Sequence, residues 1–543
     1  MANNVYIGMR YVPIFVGDWD NTKSYESLMI VQYGNNTYTS KRPVPVGVLP
    51  TDTTYWALTG NYNGQISNLQ QQIDDLNDGV EPIRGAYVTP EFFGAVGDGT
   101  TDDSDAINDA LADGRPVVFT ANKTYKCDKY LTINTNNKMY GNGCKILFDG
   151  GGTLTPTDDL MLADHTNNVL IDNFHFELTN PTVLLHCLSF FNSEAFDITN
   201  CIFSQFYGTC IRVNADNGFN IRNCRFYNIT GDYGNPGECI FGQTWRNATV
   251  ENCLCDTIDD HFVYMTNASK NVKIIGCKAI KCGQTTLANI GAAYQIYQDS
   301  ENIIIDSCSD INCGRSGVQM EQYGSGGVVT PKNITIVNHS STNCGSYWCK
   351  IFGNSVHNIE NVIISNCCVM DCANDAIRAE EVTGLVINNN IIRVSTPCQV
   401  SMSNTHKAVI SNNYLQGSNP TAIYVGVGNV GASDKISIKN NIIDGATTYG
   451  INIKMVSEPA QLSGNIMTNS TPLYSSKALV IGDTHLEASK HSITFGDTAD
   501  SASHYTGDVI FNKNPSSGSP VGWICTSGDG EHVGTLKSFG TIA

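Results

Sequence analysis

The 543-residue chain is 41% apolar and 15% charged, contains 50 Gly and carries a formal net charge of −19; this is the balance of a folded, turn-rich protein and excludes a disordered one. The acidic excess argues against a nucleic-acid partner, whose phosphates demand Lys and Arg, and makes a strongly anionic glycan an awkward ligand. No apolar run approaches the roughly 20 residues needed to cross a bilayer, so no membrane partner is expected.

In chain order, Met1-Ala2-Asn3-Asn4-Val5-Tyr6 lacks the basic and apolar regions of a signal peptide. The expectation is therefore assembly in a cytoplasm, with thiols kept reduced. Residues 1–62 interleave Trp19, Tyr25, Tyr33, Tyr38, Tyr55 and Trp56 with short β-like runs, Val12–Val16 and Leu28–Gln32, and read as a small separate β domain. Over 63–81, Ile66, Leu69, Ile73, Leu76 and Val80 fall at alternating steps of three and four, the a/d seam of a short parallel coiled coil. A lone amphipathic helix packed on its own chain remains an alternative, because two heptads are too short to be stable alone.

The segment Glu91–Leu111 reads as a strand, a Gly/Asp turn and a helix with Asp102 and Asp103 at its N-terminus. Behind it one phrase recurs, as in Ile198-Thr199-Asn200-Cys201 and Val250-Glu251-Asn252-Cys253. Its turn residues are Asn173, Asn200, Asn223, Asn252, Gly276, Ser307, Asn338, Asn366, Asn389, Asn412, Asn440 and Gly464. That spacing is in the solenoid range, and the apolar residues before each corner alternate with period two, so each copy reads as one coil of a parallel β-helix. The next residue is Cys201, Cys224, Cys253, Cys277, Cys308, His339 and Cys367, then Asn390, Asn413, Asn441 and Asn465. Coils stack about 4.8 Å apart, so this position predicts a buried ladder, thiols filling one half and asparagines bonding along the other. Cys282, Cys313, Cys344 and Cys372 form a second such column. Disulfides belong to chains too short to build a core, and the Cys spacing lacks paired His, so neither cross-links, a metal nor a cofactor is expected.

Outward positions of successive coils should form rows on one face. The first row reads Arg212, Phe241, Val263, Gln295, Gln319, Lys350, Arg378, Gln399, Tyr424 and Asn452; the second reads Asn214, Gln243, Met265, Tyr297, Glu321, Phe352, Glu380, Ser401, Gly426 and Lys454. Glu321 and Glu380 fall two coils apart, roughly 10 Å between backbones. Inverting glycosidases hold two carboxyl groups about 6.5–9.5 Å apart with room for water. Lys350 and Arg378 lie between them, as substrate-binding cations or as partners in surface ion pairs. A second constellation is Asp259-Asp260-His261, with Asp299 one coil later; a turn-capping Asp pair is the alternative reading. Tyr297, Tyr323 and Trp348 are candidate surface rings for sugar stacking, whereas Tyr264 falls at an inward position.

The entry phrase Glu91–Leu111 resembles that of pectate-lyase-superfamily β-helices, especially bacteriophage tailspikes and tail appendages, and the repeats extend this resemblance over 82–483. Tyr505–Asn512, Pro520–Thr526 and Gly534–Ile542, within 484–543, resemble the small β module that closes many phage tail and spike proteins, with Leu536 where that module usually carries Trp. The paired aspartates are similar to the central motif of polygalacturonase-type glycosidases, which implies acid and base roles for Asp259 and Asp260, although that family's other motifs are missing. Together the resemblances imply an all-β, homotrimeric virion spike. Its N-terminal domain would meet phage tail proteins, and its β-helix would bind and hydrolyse a host cell-surface polysaccharide. A non-enzymatic adhesin and a β-eliminating lyase, with Lys350 or Arg378 abstracting the proton, are the alternatives.

Overall fold

The computed structural model describes residues 12–60, 67–72, 85–149, 159–179, 185–231, 237–284, 291–322, 330–395, 397–426 and 431–468, with shorter stretches between 473 and 541. The chain divides into two compact units, Met1–Tyr87 and Val88–Ala543. In the first, strands Ile14–Asp18, Met29–Tyr33, Asn36–Ser40 and Trp56–Gly60 form one sheet in chain order. Its core is Tyr25, Val31, Val44 and Trp56, with Tyr25 and Trp56 in edge contact at 5.3 Å. Of the heptad segment, residues 67–72 are helical, and Ile66, Ile73, Leu76 and Val80 lie outside the described residues.

The second unit begins with a 3-10 turn, Pro90–Phe93, where the sequence suggested a strand; Pro90 at its first position favours the turn. The helix Ser104–Ala112 follows, with Asp103 at its N-cap position. The Asp103 carboxylate instead accepts from the Val96 and Gly97 amides at 2.7 and 3.1 Å, while Asp102 accepts from the Ser104 amide at 3.1 Å. The two aspartates thus share the work of fixing loop and helix start.

Beyond this entry the chain coils, three strands per turn, as in Glu238–Gln243, Arg246–Glu251 and Leu254–Ile258. Equivalent strands pair in parallel from coil to coil, for example Ile240 with Val263, Val250 with Ile274 and Cys255 with Ala279. The corner between second and third strands is the predicted one. All twelve corner residues from Asn173 to Gly464 have left-handed backbone, φ 53° to 66°, which Asn and Gly adopt at least cost.

The core runs the length of the solenoid, from Val88 to Leu462. Every cysteine is unpaired and all but Cys368 are buried. Burial pushes the Cys187, Cys210 and Cys313 thiols well up, and Cys367 up to about 12. In the amide half the ladder is direct: Asn390 Nδ2 donates to Asn413 Oδ1 (3.0 Å), Asn413 to Asn441 (2.9 Å) and Asn441 to Asn465 (3.0 Å). An unforeseen exposed ladder runs through the earlier coils at the start of the second strand: Asn247, Asn271, Asn302, Asn333 and Asn361 each donate to the previous member or to Asn217, at 2.9–3.0 Å. The C-terminal strands Ile493–Gly496, Val509–Asn512, Pro520–Ser527 and Thr535–Thr541 make a separate four-stranded sheet.

Candidate functional site

The first strand of each coil presents its outward residues on one face. The pairing register gives the first row as Arg212, Phe241, Tyr264, Gln295, Gln319, Lys350, Arg378, Ser401, Tyr424 and Asn452. The second is Asn214, Gln243, Thr266, then Tyr297, Glu321, Phe352, Glu380 and Ser403. Four expected members are displaced: Val263, Met265 and Gln399 face inward or sit before the row, and Ser401 belongs to the first row. Tyr264, expected inside, is outward and half-buried. The reason is local. Two consecutive residues point inward where the chain enters this strand, so alternation counted through Phe262 and Val263 slips by one.

The same double inward step corrects Trp348. It is fully buried, its ring 5.8 Å from that of His339, and it cannot stack on a sugar from that position. Gly317 on the preceding coil leaves it room, since a Cβ there would stand 2.8 Å from Trp348 Cδ1. Tyr323 lies outside the described residues. Tyr297 is outward and half-buried, 6.2 Å edge-on from Tyr264, which in turn lies 5.1 Å from Phe241.

Glu321 and Glu380 share the second row with Phe352 between them. Glu321 is 6% exposed and is bonded by Lys350 Nζ, which also sits 4.5 Å over the Phe352 ring. Arg378 holds Glu380 through Nε at 2.7 Å and through a second guanidinium nitrogen, and reaches Asp375 at 3.5 Å. Lys350 and Arg378 are therefore partners of the carboxylates, and each pair sits at the base of the face. Beyond them Tyr347, Asp375, Arg378, Cys398 and Tyr424 line a cleft of about 370 Å³, large enough for a sugar ring or two.

The other predicted constellation joins the same face at the strand entry. Asp260 and His261 are 2% and 3% exposed, and the His261 ring lies 4.6 Å from Tyr264. His261 Nε2 bonds Gln295 Oε1 at 2.5 Å, and its Nδ1 faces Asp260 Oδ1 at 3.0 Å and Glu238 Oε1 at 3.8 Å. Glu238 went unnoticed in the sequence. It is 2% exposed and accepts from Thr209 Oγ1 at 3.1 Å. Burial first, with the Asp260 charge adding and His261 opposing, pushes its carboxyl up to about 8. Burial alone would lower His261; the Asp260 and Glu238 carboxylates overcome this and raise it. Burial, then the Glu238, Asp260 and Glu321 charges, raise the Tyr264 phenol, which ties the two constellations into one patch. Asp259 and Asp299 stay at the margins. Asp259 accepts from the Gly231 amide at 3.1 Å, a turn-fixing contact. Asp299 follows Tyr297 at the far end of the strand, in left-handed backbone, its amide donating to Gln322 at 3.3 Å. It does not meet Asp260.

One signal in the sequence would have placed these residues. A step of twelve from the corner residues Asn200, Asn252, Asn338, Asn366, Asn389, Asn412 and Asn440 lands on Arg212, Tyr264, Lys350, Arg378, Ser401, Tyr424 and Asn452, and three residues before Phe241 and Tyr264 stand Glu238 and His261.

Among known proteins, residues 186–340 match the family described as the right handed beta helix region. Over 201 residues, 34% of this chain, the sequence is 29% identical to the capsule K30/K69-specific depolymerase 1 of Klebsiella phage K5-2; the chain spans only 24% of that protein. Among solved structures, a mutant tailspike protein of E. coli bacteriophage HK620 in complex with a pentasaccharide aligns at 11% identity and TM-score 0.47, covering 73% of this chain and 81% of that one. ORF18 of Geobacillus virus E2 aligns at 14% identity and TM-score 0.45, covering 68% and 71%. Sequence and coordinates thus agree on the fold: a right-handed parallel β-helix.

Proposed function

We propose that this chain is a receptor-binding spike of a bacteriophage tail, a homotrimer that binds a host cell-surface polysaccharide and hydrolyses it on the outward face of the first sheet. The observation that carries the reading is the composition of that face. Tyr264 and Tyr297 offer ring area, Gln295 and Gln319 offer amides, and Glu321 and Glu380 offer two carboxylates in one row. Sugars need this combination of flat apolar surface and directed polar groups. The 29% identity to a capsule depolymerase supports the same substrate class.

In this reading Glu321 and Glu380 act as a pair. Two coils put their backbones about 10 Å apart, within reach of the separation at which one carboxyl protonates the leaving oxygen and the other activates water. Lys350 and Arg378 hold them in position. A second reading places the acid at Asp260, favoured by its burial beside Glu238. The residues 1–62 would attach the spike to the tail, and the heptads would set the parallel register of the copies.

The test is reducing-end release from a panel of bacterial envelope glycans. The parent protein should release ends, and Glu321→Gln or Glu380→Gln should lose about 100-fold or more in rate while retaining binding. Binding without release by the parent would leave an adhesin, and unsaturated products absorbing in the ultraviolet would make it a lyase.

A further inference from the structure

Glu238, Asp260 and His261 aim three ligand atoms at one point. One atom from each lies within 4.8 Å of the other two. All three side chains are at least nine-tenths buried, at 2%, 2% and 3% exposure. Neither Asp260 oxygen makes a hydrogen bond, and neither does His261 Nδ1, despite its 3.0 Å approach to Asp260. A buried carboxylate with no hydrogen-bond donor is costly unless a positive charge stands beside it.

The histidine tautomer sharpens this. With Nε2–H donated to Gln295 Oε1 at 2.5 Å, a neutral ring turns its Nδ1 lone pair toward the two carboxylates. Three electron-rich atoms then face one another, and either an ion between them or a second proton on the His261 ring balances their charge. The neighbouring basic side chains are engaged elsewhere: Lys350 with Glu321, and Arg212 with Asp159 at 3.7 Å.

We propose that Glu238, Asp260 and His261 form a divalent-cation site at the entry edge of the outward face. The ligand set, one imidazole and two carboxylates, suits a borderline first-row ion such as Zn²⁺ or Mn²⁺ better than Ca²⁺, which takes oxygen ligands alone. The 3.0 and 3.8 Å separations from Nδ1 fit ligands around an ion with bonds of about 2.0–2.2 Å. Gln295 orients the imidazole through its far nitrogen, as outer-shell partners of metal-bound histidines do. Cys282 is not a ligand, since its thiol donates to the Asp260 carbonyl at 3.1 Å. A bound ion would fix His261 beneath Tyr264 and so rigidify the patch where aromatic and acidic residues meet.

The full-length chain, stripped with chelator and dialysed, is titrated with Zn²⁺ and with Mn²⁺ by calorimetry, with metal content measured after desalting. The site predicts one ion per chain, a melting temperature that rises with ion concentration, and affinity weakened at least about tenfold in Glu238→Gln and Asp260→Asn. His261→Ala should abolish stoichiometric binding; if that variant fails to fold, the two conservative ones carry the test. Failure of the parent to bind either ion, or unchanged affinity in both conservative variants, overturns the proposal. So does a His261 ring protonated on both nitrogens in saturating Zn²⁺ by NMR, because a proton then occupies the place assigned to the ion. No glycan enters the measurement, so its outcome is independent of whether the face cleaves sugar.

Discussion

The residue after the corner is a thiol in the first half of the solenoid and an amide in the second, and the two halves solve one packing problem with opposite chemistry. From Cys201 to Cys308, each Sγ contacts backbone carbonyls, Cys253 for example contacting Glu251 O at 3.4 Å and Ile221 O at 3.7 Å, and successive thiols also touch one another. Asn390, Asn413 and Asn441 each donate to the next amide side chain and to a backbone carbonyl of the preceding coil, and Asn465 accepts at the end of the chain. The thiol half is a stack of fillers joined by weak sulfur contacts, and the amide half is one chain of strong polar bonds. One coil before the last thiol, Cys367, His339 interrupts the column, its Nε2 2.5 Å from Asp310 and both fully buried; Ser341 Oγ and Cys344 Sγ also contact that carboxylate.

The largest contrast is chemical. On brief alkylation at pH 8 the native protein should label at Cys368 alone, whereas all 20 cysteines label after unfolding; peptide mass spectrometry reads this out. Where burial raises a thiol, as at Cys367, pushed up to about 12, the effect is reinforced, since the group stays protonated and unreactive at that pH.

Next in size is the junction. Converting His339 to cysteine would make the thiol column continuous but remove a buried partner of Asp310, and should cost about 3–5 kcal/mol in denaturant unfolding. Within the amide half, Asn413→Ala strands donors on Asn390 and removes the side-chain donor to Asn441 Oδ1 and the Ile387 carbonyl, and should cost about 2–3 kcal/mol. The matching change in the thiol half, Cys253→Ala, removes one weakly bonded atom and should cost about 1 kcal/mol. Equal losses at Cys253 and Asn413 would erase the distinction between filler and chain. Smallest is the exposed ladder. Asn302→Gly should fall within about 0.5 kcal/mol, because the lost surface bonds are offset by glycine's ease at φ 57°.

Much of this was legible from residues alone. Corner asparagines announce left-handed backbone, and period-two alternation announces strands, so the coils, the buried cysteines and the Asn390–Asn465 ladder followed directly. The pairs Lys350–Arg378 and Glu321–Phe352–Glu380 followed from the constant distance to the corner. The entry to the first strand did not, because two consecutive inward residues there defeat alternation; this displaced Val263, Met265 and Gln399 and put Trp348 wrongly on the surface. Glu238 was invisible for a different reason. An isolated acid before Cys239 has no local signature, and its meaning comes only from the His261 of the next coil. The exposed Asn271–Asn361 ladder was equally hidden, since surface asparagines in turns are unremarkable until stacking aligns them.

The central claim is that the outward face of the first sheet meets the glycan. A crystal structure of the Glu321→Gln variant soaked with an oligosaccharide product of the parent protein tests it most directly. Sugar density lying across Tyr264, Tyr297 and the Glu321–Glu380 row is the predicted result. Density confined to the faces of the second or third strands, or to the N-terminal unit, would contradict it.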